Sequence, residues 1–235
     1  MGGVVLITGG SRGIGAAVAR LAARDGFTVC ITYRSDAGAA RAVGADRVVQ
    51  ADVAVEADVV RAFEAASELG PLTGFVANAG IVAPTARVDE LSVERVERML
   101  AVNVLGAIVG CREAVRRMST RHGGSGGSIV LVGSAASRIG GSGEYVDYAA
   151  SKGAIDTLGL GLAREVADEG VRVNVVRPGL IETEIHAPGR LERMAPAVPM
   201  QRPGTPDEVA AAIVWLLSDA ASYTTGAVLD VSGGR

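Results

Sequence analysis

Apolar runs of strand length alternate with segments of helical period along this chain, and no other feature restricts its fold as tightly. Residues 4–8, 27–33, 47–51, 74–77, 128–132, 171–176 and 227–231 read as strands. Residues 14–24, 55–69, 91–117, 148–167 and 207–217 read as helices, the 91–117 stretch being one long helix or a kinked one. The strands are apolar at nearly every position, which demands burial on both faces, and a parallel sheet between two helical layers provides it. Alternating β and α units with right-handed crossovers predict an α/β fold: a doubly wound, mostly parallel sheet of about seven strands with helices on both faces. A length of 235 residues suits a single domain over 1–235 better than two small ones.

The first strand runs directly into Thr8-Gly9-Gly10-Ser11-Arg12-Gly13-Ile14-Gly15, and a helix follows at once. Glycines there let the backbone turn tightly and approach a pyrophosphate, whose charge then sits against the free N–H groups of a helix N-terminus. Other glycine-rich stretches, such as 123–127, lack that context, and it is strand before and helix after that the mechanism needs. A second unusual stretch, 184–206, holds five of the eight prolines between a strand and a helix. Such a long irregular segment is expected to act as a lid over a site, a variable surface insertion being the blander reading. Ile185, His186, Leu191, Met194, Val198 and Met200 would give it a mixed apolar wall; His186 is either a substrate contact or a surface residue.

Composition removes several classes of function. The net charge of −3 comes without a basic block, so no footprint for nucleic acid appears. Apolar stretches fall well short of the roughly 20 residues that span a bilayer, so no membrane role is expected. A strand pattern beginning by Gly3 leaves no room for a signal peptide. Cys30 and Cys111 stand far apart and outside any C-x-x-C or His-rich pattern, which speaks against a disulfide framework or a metal site and makes a reducing cytoplasm the expected compartment. Among 23 basic residues only Lys152 is a lysine. That single lysine calls for an explanation.

The glycine spacing G-x-x-x-G-x-G after Thr8 resembles the classical short-chain dehydrogenase/reductase family. Further matches follow in the family's order: Asn78-Ala79-Gly80, Asn103, Ser134, Tyr148-x-x-x-Lys152, Pro178-Gly179 with Thr183, Thr225-Gly226 and Gly233-Gly234. The resemblance covers essentially the whole chain. It implies hydride transfer between a nicotinamide cofactor and a carbonyl or alcohol substrate, with Asn103, Ser134, Tyr148 and Lys152 as the catalytic set. Tyr148 and Lys152 share one helix face, and an ammonium beside a phenol is expected to lower its pKa by favouring the phenolate. Ser134 would orient the substrate carbonyl. Its distance to Tyr148 is one residue longer than the family's usual spacing, which an extra residue in the 140–143 turn would absorb, and Ser137 is the other candidate. Asn103 either caps a broken helix or, as the resemblance implies, holds a water that links Lys152 to solvent. Tyr145 is set aside because Ala149 stands four residues on.

By the same resemblance the cofactor lies along Gly9, Ser11, Arg12, Gly13, Ile14, Gly15, Tyr33, Arg34, Asp52, Val53, Asn78, Ala79, Gly80, Tyr148, Lys152, Pro178, Gly179, Ile181 and Thr183. An NAD-binding chain would carry an acid at the end of its second strand. Here Tyr33-Arg34-Ser35 precedes the first acid, Asp36, and Arg12 adds a second cation, so NADP is favoured over NAD. The expected function is an NADP-dependent oxidoreductase; the alternatives are an NAD-linked sugar or secondary-alcohol dehydrogenase and a catalytically silent dinucleotide sensor. A homotetramer is implied by the resemblance alone, packed through the helices after the fourth and fifth strands and the C-terminal segment.

Overall fold

The computed structural model describes residues 2–185 and 188–235. Among these, seven strands form one sheet: β1 (Val4–Ile7), β2 (Thr28–Tyr33), β3 (Arg47–Gln50), β4 (Leu72–Ala77), β5 (Gly127–Val132), β6 (Val171–Pro178) and β7 (Val228–Val231), in the order β3-β2-β1-β4-β5-β6-β7. All neighbours pair in parallel. The connections are α1 (Gly13–Arg24), α2 (Ala37–Ala42), α3 (Glu56–Ser67), α4 (Val93–Leu100), α5 (Gly106–Met118), α6 (Ala136–Ile139), α7 (Val146–Val166), α8 (Arg190–Met194) and α9 (Pro206–Leu217). None of the described helices is long and apolar enough to cross a membrane.

Period-two alternation divides each strand between two cores. Val4 and Leu6 join Phe63, Val109, Cys111, Met118 and Ile155 on the α3–α5–α7 side, while Val5 and Ile7 join Val18, Ala22, Val209, Ile213 and Leu216 on the α1–α9 side. The helices can sit close because glycines replace side chains at the contacts. A Cβ on Gly110 of α5 would stand 2.5 Å from the Phe75 ring, and one on Gly159 of α7 would overlap Val175. Each buried Phe or Leu in such a layer contributes about 2–3 kcal/mol through the area removed from water.

The 91–117 stretch is neither one regular helix nor two separate ones. α4 and α5 are joined by a π-helical turn over Ala101–Leu105 with Asn103 at its centre, and the widened ladder of such a turn re-aims side chains. α2 was not legible as a helix in the sequence, being only six residues long; the Asp36 carboxylate caps it by accepting from Ala39 N at 2.8 Å. The order of strands reverses at β1, where β4 takes the side opposite β2, and the crevice at this switch point is where open α/β sheets bind ligands.

Candidate active site

A single cleft of about 670 Å³ runs along the carboxyl ends of the strands, from Arg12, Arg34 and Asp36 at one end to Ser134, Tyr145, Tyr148 and Arg190 at the other. Its first part is backbone. Gly9 and Gly13 take positive φ of 65° and 52°, a conformation that costs glycine nothing. A Cβ on Gly15 would collide with the Gly9 carbonyl. Thr8 Oγ1 accepts from Asn78 N and Ala79 N, both at 3.1 Å, and Asn78 Nδ2 donates to the carbonyls of Thr8 and Gly9 at 2.9 and 3.0 Å. Asn78 thus lines the cleft with its side-chain amide pinning the glycine turn to β4. Arg12 at the start of α1 offers no side-chain cap, and Gly13 and Ile14 of its first turn line the cleft.

At this end Arg12, Arg34 and Asp36 are exposed, and the Asp36 carboxylate is engaged in capping α2. Asp52, after β3, has its own partners. Oδ1 accepts from Ala54 N at 3.0 Å and Oδ2 from Arg98 Nη2 at 2.8 Å. Burial works against its charge, but the Ala54 N–H, Arg98 and the nearby Arg34 hold the carboxyl below its ordinary value. Arg98 is a cleft residue with no signal in the sequence, since nothing local ties it to Asp52. Val53 supports the start of α5, its carbonyl lying 2.7 Å from a Cβ built on Gly106. On the far side Thr183 abuts the glycine turn, its methyl 3.2 Å from a Cβ on Gly13. Ile181 bridges to Gly204 and Gly179 N donates to Val231 O, which fixes the segment after Pro178 across the cleft.

The other end is built from side chains. Tyr148 and Lys152 lie one turn apart on α7, whose first turn is tied to α4 by Arg95, donating to both oxygens of Asp147 at 2.8 and 3.2 Å. Lys152 is 5% exposed, and its Nζ donates to the Val132 carbonyl at 2.7 Å. Burial pushes the Tyr148 phenol up, with the Ser134 hydroxyl pulling the other way. Helical spacing puts both residues on one face, yet the long lysine stem carries Nζ to the end of β5, 5.8 Å from the Tyr148 ring centre. Burial also brings Lys152 down to about 8, with Asp156 opposing. Asn103 Oδ1 accepts from Ile81 N at 2.8 Å, and Nδ2 donates to Ile81 O and Ser151 Oγ at 3.0 and 3.1 Å, so the amide pins the π turn to the β4 loop. Asn103 Oδ1 and Lys152 Nζ nevertheless approach one point, 3.4 and 3.6 Å from a Cβ built on Gly80.

Of the two serines, Ser134 lines the cleft, whereas Ser137 Oγ donates back to Ser134 O at 2.8 Å. The 140–143 turn passes three glycines through positive φ, which accommodates its extra residue. Tyr145, set aside on spacing, belongs to the cleft: its ring meets Tyr148 edge-on at 5.7 Å, and its hydroxyl accepts from Arg190 at 2.8 Å. Arg190 of α8 also pairs with Glu144 at 2.6 Å. The apolar wall expected from 184–206 needs correction. Ile185 lines the cleft, but Val198 is buried against Gly233 and the exposed Met200 borders a neighbouring cavity. Leu191 and Met194 are not among the lining residues because α8 presents Arg190 inward; His186 lies outside the described residues.

The glycine turn, the crevice and the Tyr148–Lys152 helix share a single cleft, and comparison with known proteins shows the family. Residues 9–235 match the family model described as enoyl-(acyl carrier protein) reductase. The chain belongs to the short-chain dehydrogenase/reductase family. It is 52% identical to the uncharacterized oxidoreductase YgfF of Escherichia coli K12, over 99% of both chains, and 38% identical to a 3beta-hydroxysteroid dehydrogenase of Eggerthella lenta, over 99% of this chain and 93% of that one. Among solved structures, a short-chain dehydrogenase/reductase mutant from Serratia marcescens superposes with a TM-score of 0.93 at 34% identity, covering 100% of this chain and 98% of that one. A blue fluorescent protein from a metagenomic library, in complex with NADPH, superposes at 0.92 and 34% identity over 99% and 97% of the two chains. As a short-chain dehydrogenase/reductase, the chain is an NAD(P)-dependent oxidoreductase acting on CH–OH or C=O groups.

Proposed function

We propose that this short-chain dehydrogenase/reductase interconverts a carbonyl compound and its alcohol with NADP(H), and that Tyr148 is its general acid and base. The observation that carries the reading is the meeting, in one cleft, of an uncapped glycine turn with Ser134, Tyr148 and the only lysine of the chain. Gly9, Ser11, Gly13, Ile14 and Gly15 would hold the pyrophosphate, Asp52 and Val53 the adenine, and Pro178, Gly179, Ile181 and Thr183 the nicotinamide side, with Asn78, Ala79, Gly80 and Lys152 along the ribose. Asp52 keeps free lone pairs for this, because a carboxylate offers about four and two are engaged. Arg12 and Arg34 would pair with a 2′-phosphate, and Tyr33 would flank it. Two features support the phosphate: Asp36 is committed to its helix, and no other acid stands at the end of β2.

A nicotinamide held there would supply or accept the hydride. Tyr148 gives its phenolic proton to the substrate oxygen in reduction and takes it back in oxidation, while Ser134 donates a hydrogen bond to the same oxygen as charge grows there. Lys152 would bind the ribose hydroxyls and stabilise the phenolate. Asn103 keeps the π turn open beside Lys152 and orders the water through which protons reach solvent. The 184–206 segment closes over the substrate, with Arg190 latched to Glu144 and Tyr145. Leu100, Leu105, Ile108, Leu160, Trp215 and Tyr223 are exposed apolar side chains on α4 to α5, α7 and the C-terminal region, which supports packing of this chain with copies of itself as a homotetramer.

The test is NADPH oxidation, followed by absorbance, against a panel of aldehydes and ketones. Wild-type protein turns over a subset of the panel, and Tyr148→Phe loses about two to four orders of magnitude in kcat. Undiminished turnover in Tyr148→Phe, or none by wild-type protein on any carbonyl or alcohol with either cofactor, overturns the reading.

A further inference from the structure

One turn beyond Lys152 on α7, Asp156 receives a fork from Arg177 of β6, Nε to Oδ1 at 3.1 Å and Nη2 to Oδ2 at 2.9 Å. The pair is largely enclosed, with 13% of the Asp156 and 17% of the Arg177 side chain exposed. It is packed against Gly133, where an added Cβ would stand 3.2 Å from Asp156 Oδ1 and 3.3 Å from Arg177 Cγ. Gly133 joins Val132, whose carbonyl receives the Lys152 ammonium, to Ser134. The same ion pair therefore underlies the strand end that presents both groups. Beyond Arg177 the charges continue to alternate: Asp230 Oδ1 lies 3.8 Å from its Nη1, and Asp230 Oδ2 lies 3.6 Å from Arg138.

We propose, on the reading of Lys152 given above, that Asp156 and Arg177 are positioning residues for it: the fork holds the end of β5 in place and keeps a negative charge next to the lysine so that it stays an ammonium. The surroundings of Lys152 offer few other charges. On α7 they are the Tyr148 phenol, Asp156, and Asp147, which is matched by Arg95 of α4. Tyr145 stands edge-on to Tyr148 before α7, β5 contributes the Ser134 hydroxyl, the π turn contributes the uncharged Asn103, β6 contributes Arg177, and Arg138 of α6 faces Asp230. Asp156 is the charge that works against the burial of Lys152.

Because the pair is one acid and one base, its two halves must act on Lys152 in opposite directions. Asp156→Asn leaves Arg177 facing a second cation, and Arg177→Gln leaves Asp156 uncompensated. A purely structural fork would loosen in either variant without a preferred direction. The chain has one lysine, so lysine labelled with carbon-13 gives one side-chain Cε signal, and its titration can be followed by NMR without any assay of activity. The expected midpoint falls by about one pH unit in Asp156→Asn, rises by a similar amount in Arg177→Gln, and returns close to wild type in the double variant. Asp156→Glu, which keeps the charge, is expected to titrate like wild type. If Asp156→Asn does not fold, Arg177→Gln alone must still raise the midpoint. An unmoved midpoint, or the same direction in both single variants, overturns the proposal. In turnover, the pH limb of kcat/KM is expected to move with the NMR midpoint; an NMR shift without it upholds the pair's hold on Lys152 and overturns instead the catalytic role of the lysine.

Discussion

At the glycine-turn end of the cleft the charged side chains, Arg12, Arg34 and Asp36, stand in solvent, while at the other end Lys152 is almost wholly enclosed. The exposed guanidinium groups of Arg12 and Arg34 are screened by water and salt, so each interacts weakly with the folded protein and is free to meet an anionic ligand, while Asp36 caps α2. Lys152 is held at a cost, because an ammonium out of water must find compensation and has one carbonyl and one nearby carboxylate. Substitutions at the first end should therefore change what binds, and substitutions at the second should exchange activity against stability.

The largest expected effect is at Lys152. Lys152→Arg keeps the charge but cannot keep a compact ammonium beneath the Val132 carbonyl, and kcat should fall by about two orders of magnitude or more. Lys152→Met should also be inactive yet more stable. A fall from 10.5 to about 8 corresponds to about 3 kcal/mol of burial cost, less about 1 kcal/mol for the lost hydrogen bond, a net gain of roughly 2 kcal/mol at pH 7. The sign follows from proton counting. Below pH 8 the lysine is charged in both states and the cost is full; between 8 and 10.5 the unfolded chain holds the extra proton, so wild-type stability rises with pH. The advantage of Lys152→Met should accordingly shrink over that window, as urea unfolding at pH 7 and pH 9.5 would show. A variant no more stable than wild type at pH 7 would break the contrast between the two ends.

Arg34→Ala should leave stability nearly untouched and reduce the ratio of kcat/KM with NADPH to that with NADH by about tenfold, the loss of one charge-assisted contact. An unchanged ratio removes Arg34 from the cofactor site. The smallest effect is expected from Asp36→Ala. It should cost about 1 kcal/mol through the lost cap of α2, read as a lower midpoint in urea. It should not lower kcat/KM with NADH, and a specific loss there would place this acid on a ribose and favour NAD.

How much of this was legible in advance differs between the same two ends. The glycine turn, its flanking elements and the doubly wound class of the sheet follow from local patterns, because a tight turn between a strand and a helix uses contiguous residues; the order of the strands came only with the structure. Tyr148 and Lys152 were legible for the same reason, being one turn apart. Their electrostatics were not. The acceptor of Lys152 is on β5, the charge opposing its burial lies one turn on, and that charge is held by β6. Tyr145 was set aside by a spacing argument and enters the cleft through Arg190, 45 residues away. Asp156 did carry a faint signal, since it stands at i+4 from the lysine.

By itself the sequence determined the alternation of elements, the two-sided burial of the strands, the backbone cradle and the family, all of which depend on residues adjacent in the chain or on period. Only the tertiary structure decided which side chains meet across the sheet: Asp52 with Arg98, Asn78 with the glycine turn, Arg190 with Tyr145, Asp156 with Arg177. The physical reason is that the energy of a charge depends on its distance to other charges and on the water removed around it, and neither quantity is set until the chain has folded.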